Sequence, residues 1–302
     1  MSLIYFGTGS FAVPALQALA SQIQLVVTQP DRPSGRGLRM QPSPVKQAAL
    51  DLGLEVATPE KTRAPEWAEL FESLKPEALV VASYGQILSQ RVLDSAKFGG
   101  INLHGSILPE YRGAAPIQRS ILHGDDLTGI TLMQMDKGMD TGDIIEIVTT
   151  PIGADETYGE LQDRLALIAA ELANAWVPRI LEGKYPRTPQ DSTRATIAPK
   201  IEKSEAELSI ERDAKGEYAR IRAFLPSPGP FIRTQVGTMR ISSAKFSGMA
   251  GEAGTILELN PLTVAFRDGS IQFLEVQPEG KKRMSGRDFA NGARLKLGMR
   301  LV

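Results

Sequence analysis

Residues 99–143 read GGINLHGSILPEYRGAAPIQRSILHGDDLTGITLMQMDKGMDTGD. The run opens on a short apolar strand, residues 101–103, which breaks at Gly105 into a glycine-bracketed loop. Asn102 and His104 stand two positions apart, and in extended chain that spacing puts an amide and an imidazole on one face. Pro109 biases Leu108 towards an extended conformation. A helix is expected over residues 116–123, and strands over 129–135 and 144–149. Between those strands, Asp136, Asp140 and Asp143 lie in a glycine-punctuated loop. Residue types alone leave two readings open: an acid–base site built from an Asn, a His and an Asp, or side chains that cap turns.

Towards the N-terminus the alternation continues. Residues 3–6 read as a buried strand, 11–20 have helical apolar spacing, 24–27 read as a strand, 64–74 as a helix and 78–82 as a strand. Strands and helices taking turns predict an α/β fold with a Rossmann-like, mostly parallel sheet, its site on loops beyond the strand ends. An amphipathic helix over residues 158–181 closes this part. Pro186, Pro189 and Pro199, set among Thr, Ser and charged residues, have linker composition. Beyond it a helix is expected over 215–224. Short runs follow at 234–236, 239–242, 254–257, 263–266 and 270–276, and predict a small β-barrel.

Composition narrows the chemistry. At 302 residues there is room for one large domain or two ordinary ones. A hydrophobic content of 42% with 23% charged residues fits a soluble globular chain. The absence of cysteine excludes disulfides, thiolate zinc sites and a cysteine nucleophile. His104 and His123 are the only histidines, which argues against a multi-histidine metal centre, so no metal is expected. Residues 1–6 lack a basic secretory start and no apolar run is long enough to span a bilayer, so a cytoplasmic location is expected. Residues 1–199 hold 17 Lys and Arg against 23 Asp and Glu, while residues 200–302 hold 17 against 12. This split points to two domains, the second suited to an anionic partner.

Gly7-Thr8-Gly9-Ser10-Phe11-Ala12 follows a strand and opens a helix, and it matches the dinucleotide fingerprint G-x-G-x-x-[GA]. Asp31 stands near the distance at which an acid would meet a ribose. An NAD-dependent oxidoreductase is therefore an alternative reading. Against it, Asp31 sits between Pro30 and Arg32-Pro33 in an irregular loop. That loop, residues 29–44, is rich in Pro and Gly and carries Arg32, Arg36 and Arg39 into solvent, where arginine can grip phosphate bidentately or can simply be solvated. Lys281, Lys282 and Arg283 form a second basic turn, open to the same two readings.

The ordered set Asn-x-His-Gly-Ser-x-Leu-Pro at 102–109, Arg-Gly-Ala-Ala-Pro-Ile-Gln at 112–118 and the acid loop up to Gly142 resembles the folate-dependent formyltransferases, most of all the members that act on methionyl-tRNA. The resemblance covers nearly the whole chain and is strongest over residues 29–143. It implies 10-formyltetrahydrofolate as formyl donor and charged initiator tRNA as acceptor, with no metal. Asn102, His104 and Asp140 fall on the family's catalytic positions. The resemblance further implies folate contacts from Ser106, Ile107, Leu108 and Pro109, and from the loop at Gln86, Ile87 and Leu88; it offers Phe11 to the aminoacyl pocket. Arg32, Arg36 and Arg39 would meet the tRNA acceptor arm, with Lys281, Lys282 and Arg283 also facing RNA. The expected division is a catalytic domain over 1–183, a linker over 184–203 and an OB-like barrel over 204–302. The chain departs from the family at Gly9-Ser10, at Leu38 and at Ser227. In the implied chemistry Asn102 and a protonated His104 donate to the oxyanion while Asp140 orients His104 and helps move the amine's proton. A family member acting on an amino-sugar nucleotide or on glycinamide ribotide is the other alternative, and would not need the arginine loop.

Overall fold

The computed structural model of the chain describes residues 2–34 and 39–302. The chain divides into two compact units. One comprises the chain up to Pro116 with Leu127–Thr150 and Gln162–Pro199; the other comprises Ile117–Asp126, Pro151–Leu161 and Lys200–Val302.

The first unit is built on a seven-stranded sheet of β1 (Leu3–Gly7), β2 (Ile23–Val27), β3 (Val56–Ala57), β4 (Ala78–Ala82), β5 (Gly100–His104), β6 (Leu127–Gln134) and β7 (Ile144–Pro151). Their order is β7-β6-β5-β4-β1-β2-β3. The pairs from β3 through β5 are parallel, and β6 runs antiparallel to β5. Every residue of β1 and of β4 is buried, which is why both strands read as unbroken apolar runs rather than alternating ones. One face packs Phe6 edge-on against Phe71 and Tyr84, at ring separations of 5.5 and 5.3 Å. From β1 the chain proceeds to β2 on one side and later to β4 on the other. Such a reversal opens a crevice at the carboxyl ends of the strands, where ligands bind in open α/β sheets. The turn at 7–10, the loop at 83–88 and the end of β5 all lie at that edge.

Three local differences from expectation have simple causes. The helix expected over 11–20 is an α-helix only over Val13–Leu19, because Pro14 fixes its first turn; 3-10 turns flank it at Ser10–Ala12 and Ala20–Gln22. Within the loop at 29–44, Arg32–Ser34 pairs antiparallel with Arg39–Gln41, separate from the main sheet. A helix at Pro44–Asp51 had not been expected; the Ser43 hydroxyl accepts from the Lys46 N–H at 3.0 Å and Pro44 occupies the first turn.

The second unit is a separate antiparallel sheet carrying the helix Ala214–Phe224. Five of its six strands are β8 (Phe231–Thr234), β9 (Gly237–Ser247), β10 (Ile256–Leu259), β11 (Leu262–Phe266) and β12 (Gly269–Pro278), in the order β8-β9-β12-β11-β10, and the short strand Met284–Ser285 also pairs with β12. The run expected as a strand at 234–236 is instead the turn into β9, where the Thr234 hydroxyl donates to the Gly237 carbonyl at 2.7 Å. Ile241, Val264, Phe266, Ile271 and Phe273 form its core beneath Ile221 of the helix.

Candidate active site

Asn102 and His104 lie on β5, opposite Met133 and Thr131 of β6. The chain leaves β6 through the acid loop and returns as β7, which brings Asp140 back over the end of β5. Asp140 takes a left-handed conformation, φ +54°, one of the few that Asp tolerates outside glycine. Its Oδ1 accepts from Asn102 Nδ2 at 3.3 Å, and its Oδ2 accepts from the Gly113 N–H at 2.8 Å. His104 Nδ1 stands 3.6 Å from the same Oδ2. That separation is an electrostatic contact, too long for a hydrogen bond. His104 Nε2 lies 2.9 Å from the Tyr111 carbonyl, which can only accept, so Nε2 carries a proton. The imidazole is 6% exposed and the Asp140 side chain 16%.

The cluster is held by groups drawn from several segments. Thr131 donates to the Ser106 carbonyl at 2.6 Å and accepts from the Leu108 N–H at 3.0 Å. The Tyr111 N–H donates to the Thr196 hydroxyl at 2.8 Å, while Arg112–Gly113 pairs in parallel with Ile197–Ala198. Gly113 adopts φ +117°, and a side chain there would press on the Ala198 carbonyl at 2.9 Å. Gly142 is required for another reason: a Cβ would fall 1.9 Å from the Gln134 carbonyl oxygen. Gln190 donates to the carbonyls of Asp140 and Gly142 at 2.9 and 2.7 Å and accepts from Arg112 Nε and Nη2 at 3.1 and 2.7 Å.

Of the expected site residues, Asn102, His104 and Asp140 come together. One part of their expected chemistry changes: His104 was to donate to the oxyanion, yet its Nε2–H is engaged by the Tyr111 carbonyl and Nδ1 faces a carboxylate. The remaining amide N–H of Asn102 is the side-chain donor of the three that these contacts leave uncommitted. Ser106, Leu108 and Pro109 turn inward, with Ser106 donating to the Glu110 carbonyl at 2.6 Å, so of the four only the half-buried Ile107 keeps a side chain partly open to a ligand. In the second loop Ile87 is exposed, but Leu88 belongs to the core beside Tyr84. Gln86 ties that loop to residues 59–62, accepting from the Thr62 N–H at 2.8 Å and donating to the Pro59 carbonyl at 3.1 Å. Burial pushes the Tyr84 phenol up, which keeps it neutral in the core. Phe11 is buried in the 3-10 turn after β1. Arg32 and Arg39 are exposed, and Arg36 lies outside the described residues. Lys281, Lys282 and Arg283 are exposed in the turn after β12. Asp31 is held by Lys46 at 2.7 Å, an arrangement at odds with an acid waiting for a ribose. Among the described residues no three His, Asp or Glu side chains gather as a metal site, and no helix is long and apolar enough to cross a membrane. Tyr111, Gly113 and Gln190 were not expected. Two of them act through the backbone, and Gln190 lies in the segment that reads as a linker.

A mostly parallel sheet with an Asn, a His and an Asp at its carboxyl edge, followed by an antiparallel sheet, is the architecture on which the family match falls, and that match sets the class as a transferase. The formyl transferase profile matches residues 1–177 and the formyl transferase C-terminal domain residues 200–294. The chain belongs to the formyl transferase family. It is 41% identical to a methionyl-tRNA formyltransferase of Solibacter usitatus, over 98% of this chain and 96% of the relative. It is 43% identical to one of Halorhodospira halophila, over 97% and 96%. Among solved structures, an N-formyltransferase from Helicobacter canadensis in complex with folinic acid and dTDP-3-aminofucose superimposes with a TM-score of 0.69 at 20% identity, covering 89% of this chain and 97% of that one. HypX from Aquifex aeolicus in complex with tetrahydrofolic acid gives 0.63 at 15% identity, over 95% of this chain and 46% of that one. These two likenesses concern the fold.

Proposed function

We propose that the chain transfers the formyl group of 10-formyltetrahydrofolate to the α-amine of methionyl-tRNA, with charged initiator tRNA as acceptor, in the cytoplasm. The observation that carries this reading is the Asn102–Asp140–His104 cluster, in a chain more than 40% identical end to end to methionyl-tRNA formyltransferases. We assign catalysis to residues 1–183, with the linker at 184–203 bracing the site through Gln190, Thr196 and Ile197–Ala198, and 204–302 as an OB-like barrel that meets RNA.

An α-amine has a reference pKa of about 7.7–8.0, so an appreciable fraction is neutral at physiological pH and attacks the formyl carbon unaided. The new C–N bond leaves an oxyanion on that carbon. Asn102 donates to it with the N–H not given to Asp140; such a donor is typically worth roughly 3–4 kcal/mol. His104, tied through Nε2, presents Nδ1 beside Asp140, and this pair accepts the proton released by the attacking amine. Collapse breaks the bond to the folate nitrogen, which takes up a proton. The buried setting of the pair strengthens these interactions.

The test is incubation of the full chain with 10-formyltetrahydrofolate and charged initiator tRNA. Formylmethionyl-tRNA is the expected product. Formylation of a dTDP-amino sugar or of glycinamide ribotide with no reaction on charged tRNA would overturn the acceptor assignment.

A further inference from the structure

We propose that Gln190 is a positioning residue for formyl transfer, setting the Asp140 carboxylate through the main chain of Asp140's own loop. The inference rests on the reading of Asp140 as a catalytic group. Gln190 comes from the proline-rich segment after the long helix, far from both β5 and the acid loop in sequence, yet its amide is saturated there. Nε2 donates to the carbonyls of Asp140 (2.9 Å) and Gly142 (2.7 Å), and Oε1 takes two donors of the Arg112 guanidinium (3.1 and 2.7 Å). Donor counting fixes the amide's orientation. A guanidinium only donates and carbonyls only accept, so the flipped amide would face like groups on both sides.

Asp140 is thereby gripped at both ends of the residue. Its carbonyl is held by Gln190, and its carboxylate by the Gly113 N–H at 2.8 Å. Arg112, 7% exposed, braces Gln190 and is covalently next to Gly113, so one dipeptide serves both grips. With φ at +54°, Asp140 is in a conformation that needs support from outside the residue. Losing the Gln190 donors frees two carbonyls in a half-buried loop and lets the carboxylate drift from His104. A misplacement of this kind can cost roughly 100-fold in rate.

The experiment measures formyl transfer to charged initiator tRNA by the full chain carrying Gln190→Ala, Gln190→Glu, Asp140→Asn, or Gln190→Ala with Asp140→Asn, with thermal unfolding of each. Gln190→Glu keeps a partner for Arg112, and so the fold, but turns lone pairs on the two carbonyls; it carries the test should Gln190→Ala unfold. Both Gln190 variants should lose about 10- to 100-fold in kcat with KM changed less than about 3-fold. On the Asp140→Asn background, Gln190→Ala should change kcat less than about 2-fold, since residues acting as one unit do not add. Near-parental kcat for Gln190→Glu beside a lost rate for Asp140→Asn would overturn this proposal alone, as would fully multiplicative losses in the double variant. A near-parental rate for Asp140→Asn would overturn the Asp140 reading itself.

Discussion

Asp140 carries its carboxylate on a backbone that most side chains avoid, so the choice of substitution decides what is measured there. Asn is also at home in the left-handed region, so Asp140→Asn leaves the backbone alone while removing the charge and one of the carboxylate's two acceptors; Asp140→Ala adds backbone strain to the loss. We expect Asp140→Asn and His104→Ala each to lower kcat by about 100-fold or more, and Asn102→Ala by about 100- to 1,000-fold. Circular dichroism should remain that of the parent. A folded His104→Ala protein with near-parental turnover would remove the imidazole from the mechanism. The i, i+2 spacing of Asn102 and His104 made their shared face legible in the sequence. The grip on His104 Nε2 was not, because a backbone carbonyl leaves no mark in residue types. Nor did the sequence reveal that Ser106, Leu108 and Leu88 point inward, since loops have no period from which to read a face.

At the scale of elements, the paired strands Arg32–Ser34 and Arg39–Gln41 present two described arginines of unequal standing. Arg32 stands 3.9 Å from Glu60 and shares its charge, whereas Arg39 is exposed with no described carboxylate beside it. If this element meets acceptor-stem phosphates, each lost contact should lower the slope of log affinity against log salt by roughly 0.7–0.9. Arg39→Ala should therefore flatten the salt dependence of kcat/KM for charged tRNA more than Arg32→Ala, with folate affinity unchanged in both. Equal slopes for all three proteins would take this element out of tRNA binding. Element existence was legible where periodicity is long: the helix Tyr158–Leu181 has the bounds its pattern predicts. The start of the helix Pro44–Asp51 was not legible, because its signal, Ser43-Pro44, closes a run of prolines and glycines that equally marks a loop.

Across the whole molecule, stability is distributed over contacts between distant stretches of chain. Arg119 grips Glu205 with two hydrogen bonds of 2.7 and 3.0 Å, and its guanidinium holds the Glu205 carboxyl below the ordinary carboxylate range. A carboxyl lowered on folding stabilises the protein at any pH above its unfolded value, and that contribution is lost as pH falls through the folded one. Glu205→Gln should cost about 1 kcal/mol near neutrality. The difference from the parent should shrink on acidification below the ordinary carboxylate value of about 4.3. Melting temperatures measured across that range check it; a constant offset would mean that the charge contributes nothing.

The helix Ala214–Phe224 depends on such distant stretches as well. Tyr218 donates to Asp155 at 2.7 Å, Arg222 to the Gly153 and Glu156 carbonyls at 3.2 and 3.3 Å, and Gln118 to the Ala223 and Ser227 carbonyls at 3.1 Å each. The segments that supply these partners come from the first 161 residues, although they belong to the second unit. No single stretch of gene therefore encodes that unit. A recombination event that replaced residues 200–302 would carry the strands across and leave their anchoring partners behind, in the lineage of the other parent. Such a hybrid would keep the strands and lose the hydrogen bonds that seat their helix.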